Sequence, residues 1–395
     1  MSTGPADLEP LLPGPARPAT IPEPRPTRWK ANLLRAVRWF WVISAFLFVA
    51  FMVLMLLPLK QKHLSITHDF GIGFDLSPSY GTVAVSYPNG SIYPIARVEG
   101  SAAYREMMIR LSLPSSQHLH KPYEDVSESM GDISRQLWRT MRRKLFLPAS
   151  RDVGTLAVML RALRRQASSF VGGGGEPISA AVVSIPHLAA LYGEDLYDAF
   201  DFLSLLPLKT HPYWDLRPVQ AAMAAYAGNG RGLCRDYRNA TACRAEEEEE
   251  GKGPLRHALA VGYTRTSLTA SLARVGWAYG DVEEFPARED LRLGFDARRE
   301  GGPGYWARVR RVLRSPVVDG YIPRNVSMVV LFGDAAPEPE FRDVLGAVVD
   351  EVLGGPGRVE FVDREPEFSA AMGAAEMAKR VTYKLRNVEG TVPEF

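Results

Sequence analysis

The sequence predicts a mixed α/β globular unit preceded by one apolar helix. Three observations carry this. Short β-branched runs, such as Thr82-Val83-Ala84-Val85-Ser86 and Val326 to Phe332, alternate with amphipathic helical patterns. The stretch from Trp39 to Leu59 is uncharged, and about 20 such residues cross about 30 Å of hydrocarbon as a helix. The chain has 395 residues, of which 46% are hydrophobic, enough for a sizeable core. Charge narrows the partners. Its 47 Lys and Arg against 45 Asp and Glu leave +2, without the basic excess of a general nucleic-acid binder. Two cysteines exclude a disulfide-dense scaffold and a four-cysteine zinc site.

Residues 1–38 are proline-rich and read as a disordered cytosolic tail, or as a ligand for a proline-binding adaptor. Residues 39–59 read as a transmembrane signal anchor with Trp39 and Trp41 in an aromatic belt. Arg25, Arg28, Lys30, Arg35 and Arg38 precede it, while Lys60 and Lys62 follow. That bias puts the N-terminus in the cytosol and makes the chain single-pass type II. Everything after a 60–68 linker then lies in the endoplasmic reticulum, another secretory-pathway lumen, or outside the cell. The glycosylation sequons at Asn89, Asn239 and Asn325 all follow the span. So do Cys234 and Cys243, which in an oxidising compartment close a small loop around Asn239.

Residues 69–98 read as strand, turn and strand, with Pro88-Asn89-Gly90 closing a hairpin. Helices are expected over 101–112 and 124–147. The second carries Arg135, Arg139, Arg142, Arg143 and Lys144, a solvated basic face or a contact for anionic membrane or phosphate. A helix over 152–170 ends at the glycines 172–175. A buried strand follows at 178–186, a helix at 188–204 and an alanine-rich helix at 216–228. Glu246 to Glu250 reads as a solvated loop. Residues 257–275 alternate like two strands. Then come a helix at 305–314, strand 326–332, helix 340–353, strand 358–362, helix 367–384 and a tail at 385–395.

Five of these stretches, in order, resemble the actin-like ATPase superfamily. The similarity is greatest to the nucleotide-binding domain of the seventy-kilodalton heat-shock chaperones. Ile72-Gly73-Phe74-Asp75-Leu76-Ser77-Pro78-Ser79-Tyr80-Gly81 is similar to the first phosphate loop. Ala181-Val182-Val183-Ser184-Ile185-Pro186 is similar to a strand before a helix, and Leu216-Arg217-Pro218 opens the alanine-rich helix. Ala260-Val261-Gly262-Tyr263-Thr264-Arg265-Thr266 stands at the second phosphate loop. Val329-Val330-Leu331-Phe332-Gly333-Asp334 and the helix start at Glu367 stand at the adenosine motif.

The resemblance implies two lobes of ribonuclease H-like fold, 69–215 and a reduced 216–384. It implies a cleft for ATP or ADP with Mg2+ near Asp75, Ser77, Ser79, Tyr80, Arg265, Gly333 and Asp334. Asp75 stands where the family holds magnesium through water. The sequence departs from the family at the chemistry. Pro78 has no N–H for a phosphate, Arg217 replaces a glutamate, and Gly262 replaces the second-loop aspartate. Thr264, Arg265 and Thr266 replace its three glycines. Gly333 is followed closely by Pro337 where an adenine-packing Arg is expected. The expectation is therefore a catalytically degenerate, chaperone-like module with a protein partner and no catalytic residue. The alternatives are an active or nucleotide-switching ATPase, and a type II glycosyltransferase without the Asp-x-Asp metal motif. His118 and His120 read as surface residues rather than metal ligands.

Overall fold

A computed structural model describes residues 28–56, 66, 68–172, 178–210, 218–252, 256–279, 288–319, 326–354 and 359–387. Residues 1–27 of the predicted tail 1–38, most of the linker, Leu216, Arg217, Asn325 and residues 388–395 lie outside the described residues. The chain divides into two compact units, 1–58 and 59–395.

In the first unit α1 runs over Arg28–Leu56. Residues 28–38, expected to belong to the tail 1–38, are therefore helical. Residues 29–38 lack proline and are rich in helix formers, so they extend the apolar helix backwards. The apolar side chains described on α1, from Trp39 to Val53, are exposed. Among the described residues no helix is long and apolar enough to cross a membrane. The predicted span lies partly beyond them, at residues 57–59 and at side chains including Phe48, Phe51 and Leu54.

In the second unit β1 (Gly71–Leu76), β2 (Tyr80–Ser86) and β3 (Ile92–Glu99) form an antiparallel meander. Helices α2 (Ala102–Leu111), α3 (Val126–Gly131), α4 (Ile133–Lys144) and α5 (Arg151–Val171) follow. β4 (Ala180–Ile185) joins β1 in parallel. After α6 (Gly193–Phe202), the short β5 (Leu206–Pro207) and β6 (Val219–Gln220) both pair with β4. Helices α7 (Ala221–Gly228) and α8 (Ala240–Gly251) lead to a second sheet. There β7 (Arg256–Tyr263), β8 (Leu268–Val275) and β9 (Arg288–Asp290) make another antiparallel meander. After α9 (Tyr305–Val318), β10 (Val326–Phe332) joins β7 in parallel. After α10 (Pro339–Leu353), β11 (Glu360–Val362) joins β10, and α11 (Ser369–Asn387) follows. The strand orders are β3-β2-β1-β4-β5 and β11-β10-β7-β8-β9. Both sheets follow one plan: a meander whose first strand takes parallel neighbours on its free side.

Alternation along β1 explains how the sheets are joined. Ile72, Phe74 and Leu76 enter a core with Leu156, Leu160 and Leu163 of α5. On the other face Gly71 and Gly73 touch the backbone of α11, where a Cβ would overlap Ala375 and Lys379. The same helix crosses α7 at Gly373, against the Ala224 carbonyl, and Gly228 meets the Ser369 carbonyl. Ala374, Met377 and Ala378 of α11 share one core with Ala222 to Ala227 of α7 and with Ala258, Ala260 and Val330 of the second sheet. One helix thus covers the first sheet and crosses α7, which in turn packs on β10 and β7 of the second.

Several predicted elements are adjusted. The 124–147 helix breaks at Asp132, which ends α3 and precedes α4. Its carboxylate is drawn to Tyr123 (2.7 Å) and Arg135 (2.6 Å). The 188–204 helix begins only at Gly193, after an extended Tyr192. The glutamate run is helical, not a loop. Asn239 caps α8 by accepting the Ala242 N–H at 3.1 Å, and the glutamates stay exposed. The basic face of α4 is not simply solvated. Arg139 is buried and meets Asp195 and Asp198 of α6 at 2.7 and 2.6 Å. Cys234 and Cys243 are disulfide-bonded. Asn89 and Asn239 are exposed.

Candidate functional site

The predicted site residues come together where the β1–β2 and β7–β8 hairpins face each other. Asp75 is the penultimate residue of β1, on the face opposite Phe74, and is buried. Its Oδ2 accepts from Ser77 Oγ at 3.1 Å and its Oδ1 from Ser184 Oγ of β4 at 2.8 Å. Desolvation pushes its carboxyl up to about 6, and the two serine hydrogen bonds oppose that shift. Among the described residues no cation compensates it. Ser79 is buried, and its carbonyl accepts the Gly100 N–H at 2.8 Å.

Tyr80, also buried, lies under the Arg97 guanidinium at 4.0 Å. Its hydroxyl accepts the Asp334 N–H at 3.2 Å. Burial first, then the carboxylates of Asp334 and Asp75, keep that hydroxyl protonated far above the usual range. Arg97 of β3 reaches Asp334 at 2.7 Å and Glu367 at 3.0 Å. The two sheets are therefore clamped through Tyr80, Arg97 and Asp334. No motif flags Arg97; its alternation on an exposed-looking strand is the only signal in the sequence.

The second loop is closed on itself. Thr264 Oγ1 accepts the N–H groups of Thr266 (3.2 Å) and Ser267 (2.9 Å). The Arg265 N–H goes to Asp334 Oδ1 at 3.0 Å. The Arg265 side chain turns away to Asp296 (3.1 Å) and Glu338 (3.7 Å). Gly333 has φ +101° and lies on Tyr263, where a Cβ would overlap the carbonyl. Its N–H goes to Pro366 O at 2.8 Å. Its left-handed backbone and close approach require glycine.

These residues do not fit a magnesium nucleotide. Asp75 is one carboxylate, held by two serines, and its upward shift is that of a carboxyl without a nearby cation. Among the described residues no group of three His, Cys, Asp or Glu side chains could hold a metal. The amides of the second loop already serve Thr264 and Asp334, so they are not presented to phosphate. His118 and His120 pack on Tyr192 instead of converging on a third ligand.

Beside the clamp is a cavity of about 280 Å³. Ser77 and Pro78 line it from the first hairpin, Thr264 and Thr269 from the second. Gln220 and Glu289 complete its polar wall. Glu289 escaped prediction because Arg288-Glu289-Asp290 has no apolar residue and reads as loop.

The raised Asp75 value has a sign. The native state holds a proton that the unfolded chain has lost, so stability falls as pH rises from about 4 to about 6. Asp75→Asn removes that loss. The expected gain is on the order of 2 kcal/mol at pH 7.5 and near zero at pH 4. Denaturant unfolding at both pH values checks it; an equal effect at both would sink the assignment.

No protein-family model matches the sequence, and no curated protein matches it.

Proposed function

We propose that this chain is a membrane-anchored binding or scaffolding module of actin-like, chaperone-type fold that does not turn over nucleotide. The observation that carries this is Asp334. Its carboxylate accepts the Arg265 N–H and the Arg97 guanidinium, so a built-in anion occupies donors that a phosphate would need. The repeated strand plan of the two sheets supports the two-lobed reading. The uncharged run from Trp39 to Leu59 and the exposed apolar side chains of α1 support the anchor. The basic residues before that run support a cytosolic N-terminus and a globular unit in the secretory pathway. Its partner there is a protein.

The test uses the full chain in detergent micelles. Wild type and Asp75→Ala are expected to release phosphate from Mg-ATP equally, at the buffer background. Hydrolysis that Asp75→Ala abolishes would overturn the reading. Topology is read on the same chain in cells. A glycosidase should increase its gel mobility; unchanged mobility with an extracytoplasmic tail epitope would reverse the orientation.

A further inference from the structure

The cavity beside the clamp has two acceptors in its wall residues whose hydrogen bonding is unmet. Glu289 stands on β9 directly across from Thr269 of β8. Among the described residues no donor or cation meets its carboxyl, and its Oε1 is shut off from solvent without a hydrogen bond. Gln220 Oε1, just before α7, is in the same condition. A buried acceptor left unpaired costs about 1–3 kcal/mol, and both belong to one cavity wall. The other charged or titratable groups nearby do not answer them. Arg288 lines the cavity, but its guanidinium meets Asp319 at 3.4 Å. Asp290 accepts the Arg292 N–H at 2.8 Å, and His187 lines the wall from the segment after β4.

We propose that this cavity binds a small organic cation, an ammonium or guanidinium group on a short stem, with Glu289 as its counter-ion and Gln220 Oε1 as a second acceptor. This rests on the cleft being a binding site and not a hydrolytic one. Three features support it. The volume of about 280 Å³ is at the low end for small-molecule pockets, suited to one side chain or a small amine. Once ionised, a carboxylate in the wall holds a cation and disfavours phosphate, most strongly where water is excluded. Desolvation also pushes Glu289 up to about 8, so the empty cavity holds a neutral acid at pH 7. An arriving cation favours the carboxylate, and the displaced proton passes to the buffer.

The experiment is calorimetric titration of the full chain in detergent micelles, in two buffers of different ionisation enthalpy. The probes are agmatine and the amide of the peptide Gly-Gly-Arg-Gly-Gly. Binding at pH 7 is expected to release up to about 0.9 proton per ligand, falling to about 0.1 at pH 9. Glu289→Gln should weaken binding by about tenfold or more and end the release. Butyrate should not compete. Tighter binding of agmatine assigns the site to a free amine; tighter binding of the peptide assigns it to a basic side chain of a partner. The proposal is overturned if neither probe binds at about 10 mM, or if Glu289→Gln binds as wild type does. Should that variant fail to fold, absence of proton release in wild type overturns it equally. Asp75-dependent ATP turnover would instead defeat the binding-module reading, which this titration does not measure.

Discussion

Gly373→Ala is expected to abolish folding of the globular unit. Its Cβ would overlap the carbonyl of Ala224 in α7, and both partners are helix backbone. Neither helix can retreat alone, because α11 also rests on Gly71 and Gly73 of β1. Ordinary overpacking costs about 1–3 kcal/mol. A backbone collision between two clamped helices belongs to the exceptional class above about 4 kcal/mol. That is comparable with the whole stability of a domain at the low end of about 5–15 kcal/mol. Gly346→Ala is the matched control. Gly346 lies inside α10 with nothing near its Cβ position. There the alanine should stabilise by up to about 1 kcal/mol through helix propensity. By circular dichroism Gly346→Ala should melt at or above the wild-type temperature, and Gly373→Ala should show no cooperative melt of the globular unit. Equal melts would show that the crossing is looser than described.

Arg139→Ala is the second large effect. Arg139 is buried between α4 and α6, where it meets Asp195 at 2.7 Å and Asp198 at 2.6 Å. It also donates to the Glu194 carbonyl at 3.1 Å. Desolvation already raises both aspartates, and Arg139 is the largest influence opposing this, joined at Asp198 by Arg143 at 3.4 Å. Removing it leaves Asp195 without its cation and Asp198 with only the partly exposed Arg143, at a cost of about 3 kcal/mol near pH 7. The sign with pH follows. In the variant the folded-state values lie still further above the unfolded ones. Its deficit is therefore present at neutral pH and shrinks as pH falls through about 4, where both states are protonated. Adding Asp195→Asn and Asp198→Asn should restore much of the loss. Denaturant titrations at pH 7.5 and 4 check this; a pH-independent deficit would mean that Arg139 acts through packing alone.

Much of the fold could be read from residue patterns, for local reasons. β10 matches the predicted strand 326–332 because its apolar run is bounded by Asn325 and Gly333. The β7–β8 pair follows from alternation over 257–275. What could not be read depended on distant partners. Gly71 and Gly73 look like loop glycines until α11 is placed on them. The basic residues of α4 look solvated until α6 is set against them. A signal existed there: Arg135 and Arg139 are spaced by one helical turn, as are Glu194 and Asp198. The site was legible as a location more than as chemistry. Asp75, Tyr80, Arg265, Gly333 and Asp334 do converge, but Asp334 and Thr264 occupy the donors and Glu289 supplies an unpaired acid.

The dependence of β1 on α11 also orders events in time. About 300 residues separate the two, and closing such a loop costs about 5 kcal/mol of chain entropy. A ribosome adding about 5–20 residues per second leaves β1 without its covering helix for about 15–60 s. Throughout that interval the nascent first sheet presents a bare glycine face beside unpaired strand edges. Biogenesis, not the finished molecule, is then the stage most exposed to aggregation, and the stage at which a holding factor would matter most.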